Sequence, residues 1–154
     1  MKEKTIDSVP QLFHSVESKT KTFNKNERLC SRKLIELLFS SGANVIEFPF
    51  RIKYLFVPAT DEIQMQALFS IPKKLFKKAV KRNLIRRRAK EVFRINKHLL
   101  YEKIPENSKL LLAFIYFDSN IQTFEIIKNG VTNGIEKIIV KITETNVKLI
   151  VNSK

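Results

Sequence analysis

The stretch Lys73–Lys97, KKLFKKAVKRNLIRRRAKEVFRINK, decides the reading of the chain. Its basic residues are Lys73, Lys74, Lys77, Lys78, Lys81, Arg82, Arg86, Arg87, Arg88, Lys90, Arg94 and Lys97, and Glu91 is its only acid. Wound as a helix at about 100° per residue, it gathers Asn83, Arg86, Arg87, Lys90, Arg94 and Lys97 on one side. Leu84, Ile85, Val92, Ile95 and Leu99 fall on the other. One face can dock on a core while the opposite face offers guanidinium and ammonium groups to solvent. Phosphates spaced along a nucleic-acid backbone complement such a row.

A basic amphipathic helix is also compatible with a solvated surface or a membrane-surface helix. The near absence of compensating acids argues against the first, and the lack of Trp against the second. Arginine favours RNA or DNA because its planar guanidinium binds phosphate through two parallel hydrogen bonds and stacks on bases. Periodicity alone leaves the kind of nucleic acid open.

The whole chain supports the same direction. Lysine and arginine total 29 against 15 acids, a formal +14 over 154 residues, and 44% hydrophobic content is enough for a packed core. Such an imbalance repels itself until a polyanion relieves it. Cys30 is the single cysteine, so an intramolecular disulfide is excluded and a buried free thiol is expected. No apolar run approaches membrane-spanning length and no signal-peptide pattern opens the chain, so a cytoplasmic protein is expected.

Outward from the basic stretch, residues 1–22 read as a polar, basic arm in which His14 has no evident partner. Residues 26–41 form a first helix ending at Gly42, where a left-handed cap is expected. Residues 46–57 read as a strand in which Phe50, Ile52, Tyr54 and Phe56 alternate with Arg51, Lys53, Leu55 and Val57. Pro49 lies at its start or at an edge. Residues 63–71 form a second strand, with Met65, Ala67 and Phe69 opposed to Gln66, Leu68 and Ser70, expected to pair with the first as an antiparallel hairpin.

After the basic helix, Lys109–Phe117 is apolar throughout, as befits a central strand covered on both faces. Ser119–Gln122 resembles a capping box for a last helix over residues 121–142, whose inner face carries Phe124, Ile127, Val131, Ile135, Ile138 and Ile142. Gly130 and Gly134 within it either permit close approach to the sheet or mark a break. Residues 143–154 read equally as frayed helix or short strand. The expected class is α+β, a single two-layer sandwich ordered helix, strands, long basic helix, strand, helix. Its domain spans residues 23–142, with 143–154 as a tail.

The segment 70–94, SIPKKLFKKAVKRNLIRRRAKEVFR, resembles the protein subunit of bacterial ribonuclease P. The matching positions are Ser70, Lys73, Lys74, Ala79, Val80, Arg82, Asn83, Arg86, Arg87, Val92 and Phe93. Asn26-Glu27-Arg28-Leu29 and Leu38-Phe39 before Gly42 resemble the family's first helix. Leu84 stands where the family's Arg-Asn-Arg signature has its second arginine. The glycine usual before Ala79-Val80 is absent. Arg88 occupies an apolar position on the wheel, from which its stem can lie along the core edge and its head can pair with Glu91.

The resemblance implies an endoribonuclease subunit that assists removal of the 5′ leader from precursor tRNA, with a catalytic RNA supplying the chemistry and its Mg2+. It implies no catalytic residue, metal or cofactor on the protein itself. The residues agree: His98 and Glu102, at helical spacing, lack a nucleophile beside them, and Asp118 and Glu125 form no carboxylate cluster. Carried over by position, Lys73, Lys74, Lys78, Arg82, Asn83, Arg86, Arg87, Lys90 and Arg94 would contact the catalytic RNA. Ile35, Phe39, Arg51, Lys53, Gln66, Leu68 and Ser70 would hold the single-stranded leader of precursor tRNA. A slip of strand register would substitute Phe50 and Tyr54 for the basic pair, and the competing role for Phe39 is plain core. A general RNA chaperone or ribosome-associated RNA binder would share the charge and the helix. A DNA regulator would need a helix–turn–helix that the pattern lacks.

Overall fold

The computed structural model describes residues 23–152, with side chains as far as residue 145; the expected arm over residues 1–22 lies outside the described residues. A short 3-10 turn, Lys25–Glu27, precedes helix α1, Arg32–Ser41. Strands β1, Ala43–Glu47, β2, Phe50–Pro58, and β3, Met65–Ser70, follow. The basic helix α2 is Ala79–Asn96, and a single turn α3, His98–Tyr101, leads toward β4, Ser108–Tyr116. Helix α4 is Phe124–Asn152.

Among the described residues the sheet has four strands in the order β1-β2-β4-β3. β2 pairs antiparallel with β1 and β4, whereas β3 runs parallel to β4. The expected β2–β3 hairpin is therefore wrong, because β4 lies between them. The cause is legible in β4 itself. Leu110, Leu112 and Phe114 enter the core under α2 and α4, while Leu111 and Ala113 enter the core under α1. A strand apolar on both faces gains most where both are covered, which is the centre of the sheet. β3 consequently reaches its parallel neighbour through the crossover that contains α2.

The expected strand over residues 46–57 is also divided. The Phe48–Pro49 peptide is cis and the chain doubles back there, so Val45 faces Ile52 and Ile46 faces Arg51. Within β2 and β3 the expected alternation holds. Phe50 and Ile52 are buried toward α2 and α4, and Leu55 and Val57 turn to the α1 side.

Several local expectations change. Helix α1 begins at Arg32 because Ser31 caps it, its hydroxyl accepting from the Leu34 N–H at 3.3 Å. Gly42 has φ −73° and no left-handed cap. Cys30 is exposed. Thr123, not Ser119, caps α4, its Oγ1 accepting from the Ile126 N–H at 3.2 Å. Phe124 is 42% exposed, while Ile127, Val131, Ile135, Ile138 and Ile142 are buried as expected. The helix continues past residue 142 to Asn152, and Gly130 and Gly134 mark close approach to the sheet. A Cβ on Gly130 would meet the Phe48 carbonyl oxygen at 2.7 Å, and one on Gly134 would collide with Ile52 Cδ1. Absence of a side chain lets the helix press on β1 and β2 without a break.

Candidate nucleic-acid interface

Helix α2 starts where Lys78, extended at φ −80° and ψ 128°, gives way to helical backbone. Ile85, Ala89, Val92 and Phe93 bury against the sheet. Their spacing rotates the contact stripe from the one drawn on the ideal wheel: Leu84 is only half-buried and Ile95 is 44% exposed. The rotation also carries Lys97 inward. Expected on the basic face, Lys97 has no exposed surface and its Nζ lies 2.6 Å from both Glu27 carboxylate oxygens. Tyr101 donates its hydroxyl to Glu27 Oε2 at 2.5 Å, and the Asn24 N–H donates to Oε1 at 2.9 Å. Burial, with the Glu27 hydrogen bond second, pushes the Tyr101 phenol well above its ordinary pKa, so it stays a donor.

This buried pair ties the N-terminal segment to the end of α2. Leu29 N–H donates to the Ala67 carbonyl at 3.0 Å, and Arg28 makes a parallel bridge with Ala67. Phe23 sets its ring edge-on to Phe69 and Phe93, with centroids 6.0 and 5.8 Å away. The result is a cleft of about 550 Å³ lined by Phe23, Arg28, Asn83, Arg86, Arg87, Lys90, Glu91 and Arg94. Arg28 and Phe23 were not among the sequence-derived candidates. Arg28 reaches the cleft through a pairing between segments distant in the chain, which no local pattern announces.

Electrostatics in this cleft favour an anion. Lys90 is held below the ordinary lysine pKa, first by burial and then by the positive charges of Arg28 and Arg86. A phosphate entering there would relieve the repulsion. Asn83 Oδ1 accepts from Arg86 Nη1 at 2.6 Å, and Arg86 Nε donates to the Phe69 carbonyl at 3.3 Å, which fixes that guanidinium. Arg94 pairs with Glu91 at 2.5 Å. Arg88 does not join that pair; its Nη1 donates to the Gln122 carbonyl at 3.0 Å, bracing the turn before α4.

The remaining cations of the stretch do not converge on this cleft. Arg82 donates to the carbonyls of Phe76 and Lys77 at 2.8 and 2.9 Å, so it closes the loop before α2. Lys73, Lys74 and Lys78 are exposed on that loop, and Lys78 joins Lys77 and Lys81 around a separate hollow facing Ser119–Ile121.

On the opposite side of the sheet, α1 covers only part of the surface. Lys53 Nζ lies 3.4 Å from the Phe39 carbonyl oxygen and 5.8 Å from the centroid of its ring. Phe39 is 42% exposed and Arg51 is exposed, so the basic pair occupies this face without a register slip. Ile35 and Leu68 pack into the smaller core beneath α1. Gln66 donates its amide to the Asn26 carbonyl at 3.0 Å, and Ser70 is half-buried at the far strand.

His98 Nδ1 lies 3.0 Å from the Ile95 carbonyl oxygen. Among the described residues, no three His, Cys, Asp or Glu side chains gather where they would hold a metal ion, and no helix is long and apolar enough to cross a membrane.

Comparison with known proteins agrees with this architecture. The chain is 29% identical over 116 residues to the ribonuclease P protein component of Porphyromonas gingivalis, covering 75% of this chain and 85% of that protein. Its fold is similar to that of the RNase P protein of Staphylococcus aureus, with a TM-score of 0.57 at 18% identity over 73% of this chain and 94% of the other. It is likewise similar to the RNase P protein of Thermotoga maritima, with a TM-score of 0.52 at 22% identity over 70% and 93%. Residues 23–137 match the family model described as Ribonuclease P, and with that match over most of its length the chain belongs to the ribonuclease P protein family.

Proposed function

We propose that this chain divides its work between its faces: the α2 cleft seats the RNA partner, and the open sheet face beside α1 holds the single-stranded leader of precursor tRNA. Membership of the family makes the chain an RNA-binding protein component of an endoribonucleolytic ribonucleoprotein concerned with tRNA processing. The RNase P RNA is its partner. A general RNA chaperone would account for the charge but not for a family match spanning the domain.

The observation that carries the leader assignment is Lys53 beside the exposed Phe39, with Arg51 further along the same strand face. Single-stranded nucleic acid is commonly held by an aromatic platform within a positive groove. In the α2 cleft, Arg28, Arg86, Arg87 and Lys90 present cations whose mutual repulsion a phosphate backbone removes. Lys73, Lys74 and Lys78 extend the positive surface along the preceding loop. Arg82, Ile35 and Leu68 act indirectly, by holding the loop or the sheet that carries the contacts. In this reading the Mg2+ of the reaction belongs to the RNA.

The test uses the reconstituted ribonucleoprotein. Phe39→Ala with Lys53→Gln should weaken binding of precursor tRNA by roughly five- to a hundredfold, the range expected for loss of one base stack. Mature tRNA, lacking a leader, should bind almost as before, and single-turnover cleavage at saturating enzyme should change little. Equal losses for precursor and mature tRNA would rule out the leader assignment.

A further inference from the structure

Beyond Arg51, at the end of the same sheet face, the chain displays two aromatic rings. Phe48 is 47% exposed and Phe117 is 42% exposed, their centroids 5.8 Å apart and their planes at 74°. Phe117 follows Ile115 in the alternation of β4, and its N–H donates to the Pro49 carbonyl at 3.0 Å, extending the pairing of β4 with β2 by one step. Gly130 of α4 abuts the Phe48 carbonyl and Pro49, so the backbone beneath the rings is fixed. Neighbouring Ile46 is 58% exposed and lies opposite Arg51 in the register.

We propose that Phe48 and Phe117 form a second stacking subsite for an unpaired base of single-stranded RNA, taking a leader nucleotide other than the one at Phe39. The inference rests on the leader reading above. Its occupant follows from charge and continuity. The rings continue the surface of Lys53 and Arg51 without an intervening acid side chain on β2, and the molecule carries a formal +14. Asp118, next to Phe117, is turned into its own loop, accepting from the Asn120 N–H at 3.3 Å and the Gln122 amide at 2.5 Å. From Lys53 to Pro49 the strand spans roughly 13 Å at about 3.3 Å per residue, room for more than one nucleotide. Aromatic rings on a rigid backbone add stacking surface with little ordering cost on binding.

The experiment measures affinity of the reconstituted ribonucleoprotein for precursor tRNAs with leaders of increasing length. In the wild-type complex, affinity should step up once the leader reaches the second subsite, and an abasic nucleotide at that position should remove the step. Phe48→Ala with Phe117→Ala should abolish it, a loss of roughly five- to a hundredfold, while short leaders and mature tRNA bind unchanged. Phe48→Leu with Phe117→Leu, which keeps apolar bulk but removes the ring planes, should lose the same step with the fold intact by circular dichroism. Loss by the alanine pair but not the leucine pair would overturn base stacking. So would equal losses for short and long leaders, or a change in self-association with leader binding preserved. Phe39→Ala with Lys53→Gln is run in parallel. If it loses leader discrimination while the Phe48 and Phe117 variants keep the length step, the subsite fails and the leader reading stands. If neither variant responds, both fail.

Discussion

Lys97 shows how much a single residue depends on its partners. A buried ammonium is costly unless paired and hydrogen-bonded, and here Glu27 accepts from Lys97, Tyr101 and the Asn24 N–H together. Breaking one side leaves the other charge buried. Glu27→Gln should therefore destabilise the fold by about 3–5 kcal/mol, read as a fall in the denaturant midpoint. It should also weaken RNA binding, because the segment that brings Arg28 to the cleft is tied down by the same carboxylate. Replacing both members, Glu27→Leu with Lys97→Met, should recover most of the stability. A double variant no more stable than Glu27→Gln would show that the pair itself, not the stranded charge, matters. Their pairing is not legible in the sequence: a lysine in a basic helix looks solvated, and nothing local marks Glu27 as its partner.

At the scale of an element, α2 carries contradictory duties and separates them by face. Ile85, Ala89, Val92 and Phe93 hold it to the sheet, while Asn83, Arg86, Arg87 and Lys90 line the cleft. Changing Arg86, Arg87 and Lys90 to glutamine should leave the helical circular dichroism intact. The log–log salt dependence of RNA binding should flatten by about 0.7–0.9 unit for each phosphate that is no longer neutralised. An unchanged slope would remove this surface from the interface. The cost of crowding cations is already visible in Lys90, held below its ordinary pKa by burial and by Arg28 and Arg86. Helix α4 makes a different compromise. Gly130 and Gly134 weaken helix propensity by about 1 kcal/mol each, and their missing Cβ atoms let it close on Phe48 and Ile52.

For the whole molecule the governing quantity is the formal +14. The free protein should melt at higher temperature in sulfate or phosphate than in chloride at equal ionic strength, since polyvalent anions screen and also bind the converging cations. At ten times the anion's Kd, linkage supplies about 1.4 kcal/mol, a rise of about 3–6 °C in Tm for a domain of this size. Identical melting in both salts, followed by calorimetry, would dismiss a preformed phosphate site.

By itself the sequence determined most of the elements, though not their bounds or the division of β1 from β2, and much of the chemistry. Alternation along β2 and β3 placed Arg51 and Lys53 opposite the main core, the apolar run of β4 required cover on both faces, and the spacing of cations marked α2. These are local properties, set by side-chain period and composition. Tertiary structure decided the rest. β4 entered between β2 and β3 because burial of both its faces outweighs the short connection a hairpin would use. The stripe of α2 rotated until Lys97 met Glu27, and Arg28 reached the cleft through a bridge to Ala67. Phe48 and Phe117 met across a chain reversal and a strand end. Each of these joins residues far apart in the chain, and only competition among all buried surfaces selects which distant partners meet.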